Sequence, residues 1–279
     1  MKYRKVILIT GCSSGFGFLT AKLLAENNYQ VYAGVRKAKD LTKFGHTPPL
    51  PKTVLLDVTW SQEKIDQVVK SITKKENHLD VLINNAGFGF LGSVKTFTDQ
   101  EIKEQFETNV FGLLKVTRSV IPYMEKQKSG TVINISSSAG LITTAYYGIY
   151  SASKFAVEAL TSALRAEESL YGIDVVSVNP GSFQTSFWKN EKFPHKEGEA
   201  PRSQGSKLNR KIKNLINNTA ARRGNPTVVA RKIKEIIETE SPKRNYLVGY
   251  DAILLYLVSR FFPQPCLDWL IKKVVKRLA

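Results

Sequence analysis

Close to the start of the chain an unbroken apolar run, Val6-Ile7-Leu8-Ile9, passes into Thr10-Gly11-Cys12-Ser13-Ser14-Gly15-Phe16-Gly17 and then directly into a helical pattern. A short run with no polar alternation reads as a strand buried on both faces. Such a strand, a glycine-dense turn and a helix in immediate succession are the opening unit of an open α/β sheet. Gly11 permits the tight turn, Gly15 lets backbone approach a phosphate, and Gly17 lets the helix pack close on the sheet. Backbone N–H groups and the helix dipole then face an anion. The spacing is G-x-x-x-G-x-G, not the G-x-G-x-x-G of the general dinucleotide fingerprint. By itself it is also compatible with simple turn chemistry; its place between strand and helix is what gives it weight.

The alternation continues. Strands are predicted at Val6–Thr10, Val31–Val35, Thr53–Leu56, Val81–Asn84, Thr131–Ile135 and Val175–Val178, with a late one at Tyr246–Val248. Helices are predicted at Phe18–Asn27, Ser61–Lys75, from the capping box Thr98-Asp99-Gln100-Glu101 through Met124, and at Tyr150–Tyr171. Asn225-Pro226 offers a cap for one more helix, ending near Thr239. The expected architecture is a single doubly wound, Rossmann-type parallel sheet with helices on both faces, spanning residues 1–250. A polar, basic lid over 187–224 and a helical extension over 251–279 complete it.

In that extension Leu267, Leu270, Ile271, Val274, Val275 and Leu278 share one helical face, while Lys272, Lys273, Lys276 and Arg277 fill the other. An apolar stretch, Ile253–Val258, precedes it. Two readings stay open: the helix packs on the core or a subunit partner, or residues 253–278 make a peripheral contact with a membrane. No apolar run reaches the ~18 residues that would span a bilayer. No secretory signal is expected, which points to the cytoplasm. Two cysteines, Cys12 and Cys266, exclude a disulfide framework, and His46, His78 and His195 lack metal-ligand spacing, so no metal site is expected. Forty-one Lys and Arg against 24 Asp and Glu give +17, which favours an anionic partner such as a phosphorylated cofactor or an acidic lipid surface. No interleaved basic and aromatic motif suggests nucleic acid.

Further motifs follow in order: Asn84-Asn85-Ala86-Gly87, Asn109, Ser137, Tyr150-Ser151-Ala152-Ser153-Lys154 and Pro180-Gly181. With the glycine turn they closely resemble the short-chain dehydrogenase/reductase family, over about residues 4–185. The resemblance implies a nicotinamide cofactor bound by Gly11, Ser13, Ser14, Gly15, Phe16 and Gly17. It implies that Asp57 and Val58 flank the adenine and that Asn85, Ala86 and Gly87 line the ribose. Pro180, Gly181, Phe183 and Thr185 would frame the nicotinamide, with Tyr150 and Lys154 also touching the cofactor. After the second strand stands Arg36-Lys37 rather than an acid. An arginine there suits a 2′-phosphate, so the expected cofactor is NADP(H), with Arg36 the main discriminator and Lys37 assisting.

Tyr150 and Lys154 are four residues apart, on one helical face and about 6 Å apart in rise. A nearby ammonium favours a phenolate. Bringing tyrosine from ~10 to ~7 takes about 4 kcal/mol, after which Tyr150 can act as general acid or base. The family likeness assigns Ser137 to hydrogen-bond the reacting oxygen, with Ser138 the neighbouring alternative. It assigns Asn109 to orient a water linked to the lysine. Cys12 reads as a small spacer.

Phe183, Phe187, Trp188, Phe193, Tyr146 and Tyr147 surround these positions and suggest a bulky apolar substrate, or simply a packed lid. The tail loosely resembles the steroid- and retinoid-type branch. The expected activity is hydride transfer between NADP(H) and a lipophilic carbonyl or alcohol, with reduction favoured. The likeness implies a homodimer or homotetramer through helices 98–124 and 150–171. The rivals are an NAD-dependent alcohol dehydrogenase and a non-catalytic dinucleotide-binding or membrane-associated protein on the same fold.

Overall fold

Strand alternation puts Val6 and Leu8 on one face of the first strand and Ile7 and Ile9 on the other, and all four are fully buried. Burying one such side chain contributes about 2 kcal/mol, so this strand can lie only in the interior of a sheet covered on both faces. The computed structural model describes residues 4–46, 48–189, 192–194, 210–211, 213–214 and 223–278. Its strands are β1 Val6–Ile9, β2 Gln30–Val35, β3 Lys52–Leu55, β4 Val81–Asn84, β5 Gly130–Ile135, β6 Ile173–Pro180 and β7 Asn245–Val248. They form one seven-stranded sheet in the order β3-β2-β1-β4-β5-β6-β7, every neighbouring pair parallel. The expected doubly wound sheet is thus the observed one.

The helices are α1 Gly15–Glu26, α2 Gln62–Glu76, α3 Asp99–Phe106, α4 Gly112–Gln127, α5 Gly148–Glu168, α6 Thr227–Glu238, α7 Tyr250–Phe261 and α8 Gln264–Leu278. On one face of the sheet Ile7 and Ile9 meet Leu24 of α1 and Val229, Ile233 and Ile236 of α6. On the other, Val6 and Leu8 meet Ile65 and Val69 of α2 and Val116 and Val120 of α4. A buried polar ladder crosses the sheet between β4 and β5. Asn84 Nδ2 donates to Thr117 Oγ1 and Asn134 Oδ1, and Asn134 Nδ2 donates to Thr161 Oγ1, each at 2.9 Å.

Several boundaries differ from the sequence reading. The long helix predicted from Thr98 is broken by a π-helical turn, Glu107–Phe111. Its capping box is present, with Glu101 N donating to Thr98 Oγ1 at 3.2 Å and Thr98 N donating to Glu101 Oε2 at 2.8 Å. The predicted 150–171 helix starts two residues earlier, at Gly148, and its last turn, Ser169–Tyr171, is 3-10 before Gly172 at φ +70. Asn225 caps the amide of Thr227 through Oδ1 at 3.0 Å, so α6 begins one residue after Pro226. The apolar stretch Ile253–Val258 lies within a helix of its own, α7. Of the predicted lid, residues 190–191, 195–209, 212 and 215–222, His195 included, lie outside the described residues. Ser186–Lys189 form a 3-10 turn, and residues 210, 211, 213 and 214 are helical where the pattern predicts a loop.

The chain builds β1, β2 and β3 outward to one edge and then returns to lay β4 against the other side of β1. Loops leaving β1 and β4 therefore diverge at their carboxyl ends and leave a crevice between them, the usual ligand position in such sheets.

Candidate active site

The crevice is a cleft of about 760 Å³. Every residue assigned to a site from the sequence lines it except Gly17 and Asn109, which lie directly behind it. The glycine turn forms one end. Gly11 is at φ +70, and a Cβ there would come within 2.8 Å of Ala86 Cα. A Cβ on Gly17 would overlap the Asn85 side-chain amide and reach 2.6 Å from Gly11 O. That close approach is held by hydrogen bonds: Asn85 Nδ2 donates to Thr10 O and Gly11 O at 2.9 and 3.0 Å, and Thr10 Oγ1 accepts from the amides of Asn85 and Ala86 at 3.0 Å. Glycine at both positions is thus a packing requirement. Cys12 is buried in the same turn, and burial pushes its thiol well above the usual range, so it is an inert filler as expected.

No acidic side chain stands in the first turn of α1, and the N-cap Ser14 does not cap it. Instead the Ser14 hydroxyl accepts from Ser186 Oγ at 2.6 Å, tying the glycine turn to the segment after β6. Arg36, Lys37 and Lys39 line the cleft where β2 ends, with Asp40 beside them.

At the other end, α5 delivers Tyr150 and Lys154. Both are buried, and Lys154 Nζ lies 6.0 Å from the centre of the Tyr150 ring. The ammonium donates to Ile135 O, the last residue of β5, at 2.8 Å. Burial lowers its pKa to about 8, and the charge of Glu158, one turn further along α5, works the other way. Ser137 follows β5, with its Oγ accepting from Ala139 N at 3.1 Å, which leaves the hydroxyl proton free to donate. Ser136 and Ser138 also line the cleft.

Asn109 occupies the π turn, and its side chain is wholly engaged. Oδ1 accepts from Phe88 N at 3.1 Å, while Nδ2 donates to Phe88 O at 3.0 Å and to Ser153 Oγ at 3.1 Å. It clamps the chain after Gly87 to α5 rather than facing the cleft. An aromatic wall closes this end: Phe187 packs on Tyr150 with ring centres 5.5 Å apart, Trp188 stands edge-on to Phe187 at 5.7 Å, and Tyr146, Tyr147 and Phe193 join them. Among the described residues no group of three His, Cys, Asp or Glu could hold a metal ion.

Two acids escaped the sequence reading. The Glu158 carboxylate accepts from Asn179 Nδ2 at 2.6 Å, Asn245 Nδ2 at 2.7 Å and Ser177 Oγ at 3.0 Å, and Asn179 Nδ2 also reaches Ser137 O at 3.3 Å. It thereby braces the backbone at Ser137 while offsetting the Lys154 charge. Its position four residues after Lys154 was the available signal. Asp251, in the first turn of α7, accepts from Ser182 N at 2.6 Å, and a Cβ on Gly181 would fall on its carboxylate, 2.5 Å from Cγ. No sequence spacing links 181 to 251. Asp251→Ala leaves the Ser182 amide unpaired and is expected to cost about 2 kcal/mol of stability. Asp251→Asn, whose amide oxygen still accepts, is expected to cost less than half as much; thermal unfolding of both variants checks this.

The family model described as short chain dehydrogenase matches residues 5–195. A 3-ketodihydrosphingosine reductase of Bacteroides thetaiotaomicron is 36% identical over 256 residues, covering 92% of each chain. An NADPH-dependent 3-dehydrocapnine reductase of Ornithobacterium rhinotracheale is 32% identical over 284 residues, covering 97% of each. Among solved structures, a short-chain dehydrogenase from Streptomyces avermitilis superposes with a TM-score of 0.79 at 29% identity, over 99% of this chain and 96% of that one. ElxO with NADP bound superposes at 0.71 with 26% identity, over 88% and 96%. The chain belongs to the short-chain dehydrogenase/reductase family of oxidoreductases.

Proposed function

We propose that the protein is an NADP(H)-dependent oxidoreductase that transfers a hydride between nicotinamide and a lipophilic carbonyl or alcohol, acting mainly as a reductase in the cytoplasm. The observation that carries this reading is that Tyr150, Lys154 and Ser137 line the same cleft as the glycine turn. The residues present fit the cofactor. The uncapped start of α1 and the bare backbone at Gly11 and Gly15 suit a pyrophosphate. Arg36 and Lys37 suit a 2′-phosphate, because Arg36 directly follows β2 where an NAD-binding chain would carry an acid. Asp57 and Val58 would flank the adenine, Asn85, Ala86 and Gly87 the ribose, and Pro180, Gly181, Phe183 and Thr185 the nicotinamide.

Bound there, the nicotinamide would supply or accept the hydride. The chain's own residues would move the proton. Ser137 hydrogen-bonds the substrate oxygen and holds it at Tyr150. Tyr150 Oη donates its proton to that oxygen as the carbonyl is reduced, or accepts it as an alcohol is oxidised. The Lys154 ammonium, fixed on Ile135 O, favours the phenolate. Asn109 keeps the Phe88 backbone and α5 in register.

The aromatic wall of Tyr146, Tyr147, Phe187, Trp188 and Phe193 favours an apolar substrate, and relatives named as reductases of 3-ketodihydrosphingosine and 3-dehydrocapnine fit that reading. A homodimer or homotetramer would use helices 98–124 and 150–171, where Phe111 and Phe155 stand exposed.

The test is oxidation of NADPH and NADH across ketones and aldehydes of increasing alkyl length, with Arg36→Asp beside the wild type. Turnover is expected to favour NADPH and to rise with chain length. The variant is expected to lose the NADPH preference by about a hundredfold, the worth of a charge-assisted phosphate contact. An unchanged preference would overturn the assignment of Arg36, and equal turnover of small polar carbonyls would overturn the apolar substrate.

A further inference from the structure

Helix α7 buries only Ala252. Ile253, Leu254, Leu255 and Leu257 are all exposed, Tyr250 and Phe261 are 80% and 77% exposed, and Phe262 and Trp269 extend the patch towards α8. A contiguous apolar surface of this kind marks an interaction site. Charge selects the partner. Residues 250–279 carry five basic and two acidic residues, within a chain of net charge +17. One of those acids, Asp251, is turned inward onto Ser182. Arg260, Lys272, Lys273 and Lys276 are exposed around the patch, and Lys273 Nζ sits 4.8 Å from the centre of the Trp269 ring. Apolar side chains rimmed by cations, with a tryptophan between them, match the boundary between acyl chains and anionic headgroups. A second copy would instead bring like charges together.

The same helix borders the cleft. Leu255, one turn beyond Asp251 on α7, is both exposed and part of the cleft lining. Asp251 fixes α7 against the chain at Gly181 and Ser182.

We infer that the face formed by α7 and α8 docks on an anionic bilayer surface, with the cleft mouth at Leu255 turned towards the lipid so that an apolar substrate enters without crossing water. The entry route rests on the lipophilic-substrate reading above; the docking does not.

The full chain is sedimented with vesicles of phosphatidylcholine alone and of phosphatidylcholine with about 30 mol% phosphatidylserine, at low salt and at about 0.5 M salt. Binding is expected to the anionic vesicles at low salt, and to fall about tenfold without the serine lipid or at high salt. Leu254→Glu combined with Leu257→Glu is expected to abolish binding with an unchanged melting curve. Lys272→Glu with Lys273→Glu, on the other helix, is expected to remove the salt-sensitive part and covers the case in which the first pair fails to fold. Wild-type protein left in the supernatant, or binding indifferent to both pairs, would overturn the docking. So would a concentration-dependent dimer that Leu254→Glu with Leu257→Glu dissociates while no vesicle binds. Vesicle partition is read without turnover, so a chain that binds vesicles yet prefers small polar carbonyls would overturn only the substrate reading.

Discussion

Tyr150→Phe is expected to slow the chemical step by about 10³-fold, within the range for loss of a general acid, while leaving substrate affinity within about twofold. The substitution removes one oxygen and little else. The ring is buried, packs on Leu91 and meets Phe187 at 5.5 Å, and all of that contact survives in phenylalanine. Single-turnover measurement at saturating dinucleotide separates the slowed step from binding. In the proposed mechanism Tyr150 and Lys154 act on the same proton, so adding Lys154→Met to Tyr150→Phe is expected to cost little more than the tyrosine change alone. A phenylalanine variant retaining a tenth of the wild-type rate would move the proton donor elsewhere, with Ser137 the first alternative.

Lys154→Met alone is expected to slow turnover by no more than the ~10³-fold of the tyrosine change and yet raise stability at neutral pH. Lys154 is buried with its pKa held at about 8, burial being the cause, against about 10.4 in an unfolded chain. Between those values the unfolded chain binds more protons than the folded one, so this residue's contribution makes stability rise with pH across that window. Below the window the full cost of keeping the ammonium buried is present, about 3 kcal/mol. Methionine removes that cost but leaves Ile135 O without its 2.8 Å donor, a loss of about 1 kcal/mol. The net gain of about 2 kcal/mol corresponds to a Tm higher by roughly 5 °C at pH 7. By pH 10.5 the wild-type lysine is relieved of its charge, the lost Ile135 hydrogen bond is what remains, and the order is expected to reverse, the variant being less stable by up to about 1 kcal/mol. Melting curves of both proteins at the two pH values check this, and a variant that melts lower at pH 7 would show that Lys154 stabilises the fold.

The strands and the glycine turn were legible because their chemistry is local. The apolar run Val6-Ile7-Leu8-Ile9 and the glycines that follow it mark strand and turn within one short stretch of chain, although the contacts that exclude a Cβ at 11 and 17 come largely from Asn85 and Ala86, far along the chain. Tyr150 and Lys154 were legible because one helical turn separates them. Glu158 lay one turn beyond, yet a glutamate on a helix ordinarily faces solvent. Only folding brings Ser177, Asn179 and Asn245 to it from two other strands. Asp251 was hidden for the same reason, since its partner amide is far away in sequence. The π turn was hidden because helical periodicity over 98–124 remains good enough to be continued straight through it.

The π turn has a consequence for how this helix tolerates change. Gln105 before it and Asn109 within it both reach the 88–90 segment: Phe90 N donates to Gln105 Oε1 at 2.7 Å, Gln105 Nε2 donates to Phe88 O at 2.8 Å, and Asn109 grips Phe88 from both sides. One extra residue per turn offsets the two halves of the helix by about 100°. Deleting any single residue of 107–111 would restore a regular helix and, by the same angle, swing α3 out of phase with α4. Length, more than composition, is what this segment must conserve: point changes at its exposed positions are absorbed locally, whereas a one-residue deletion turns Gln105 away from Phe88 and Phe90 and Glu104 away from the cleft.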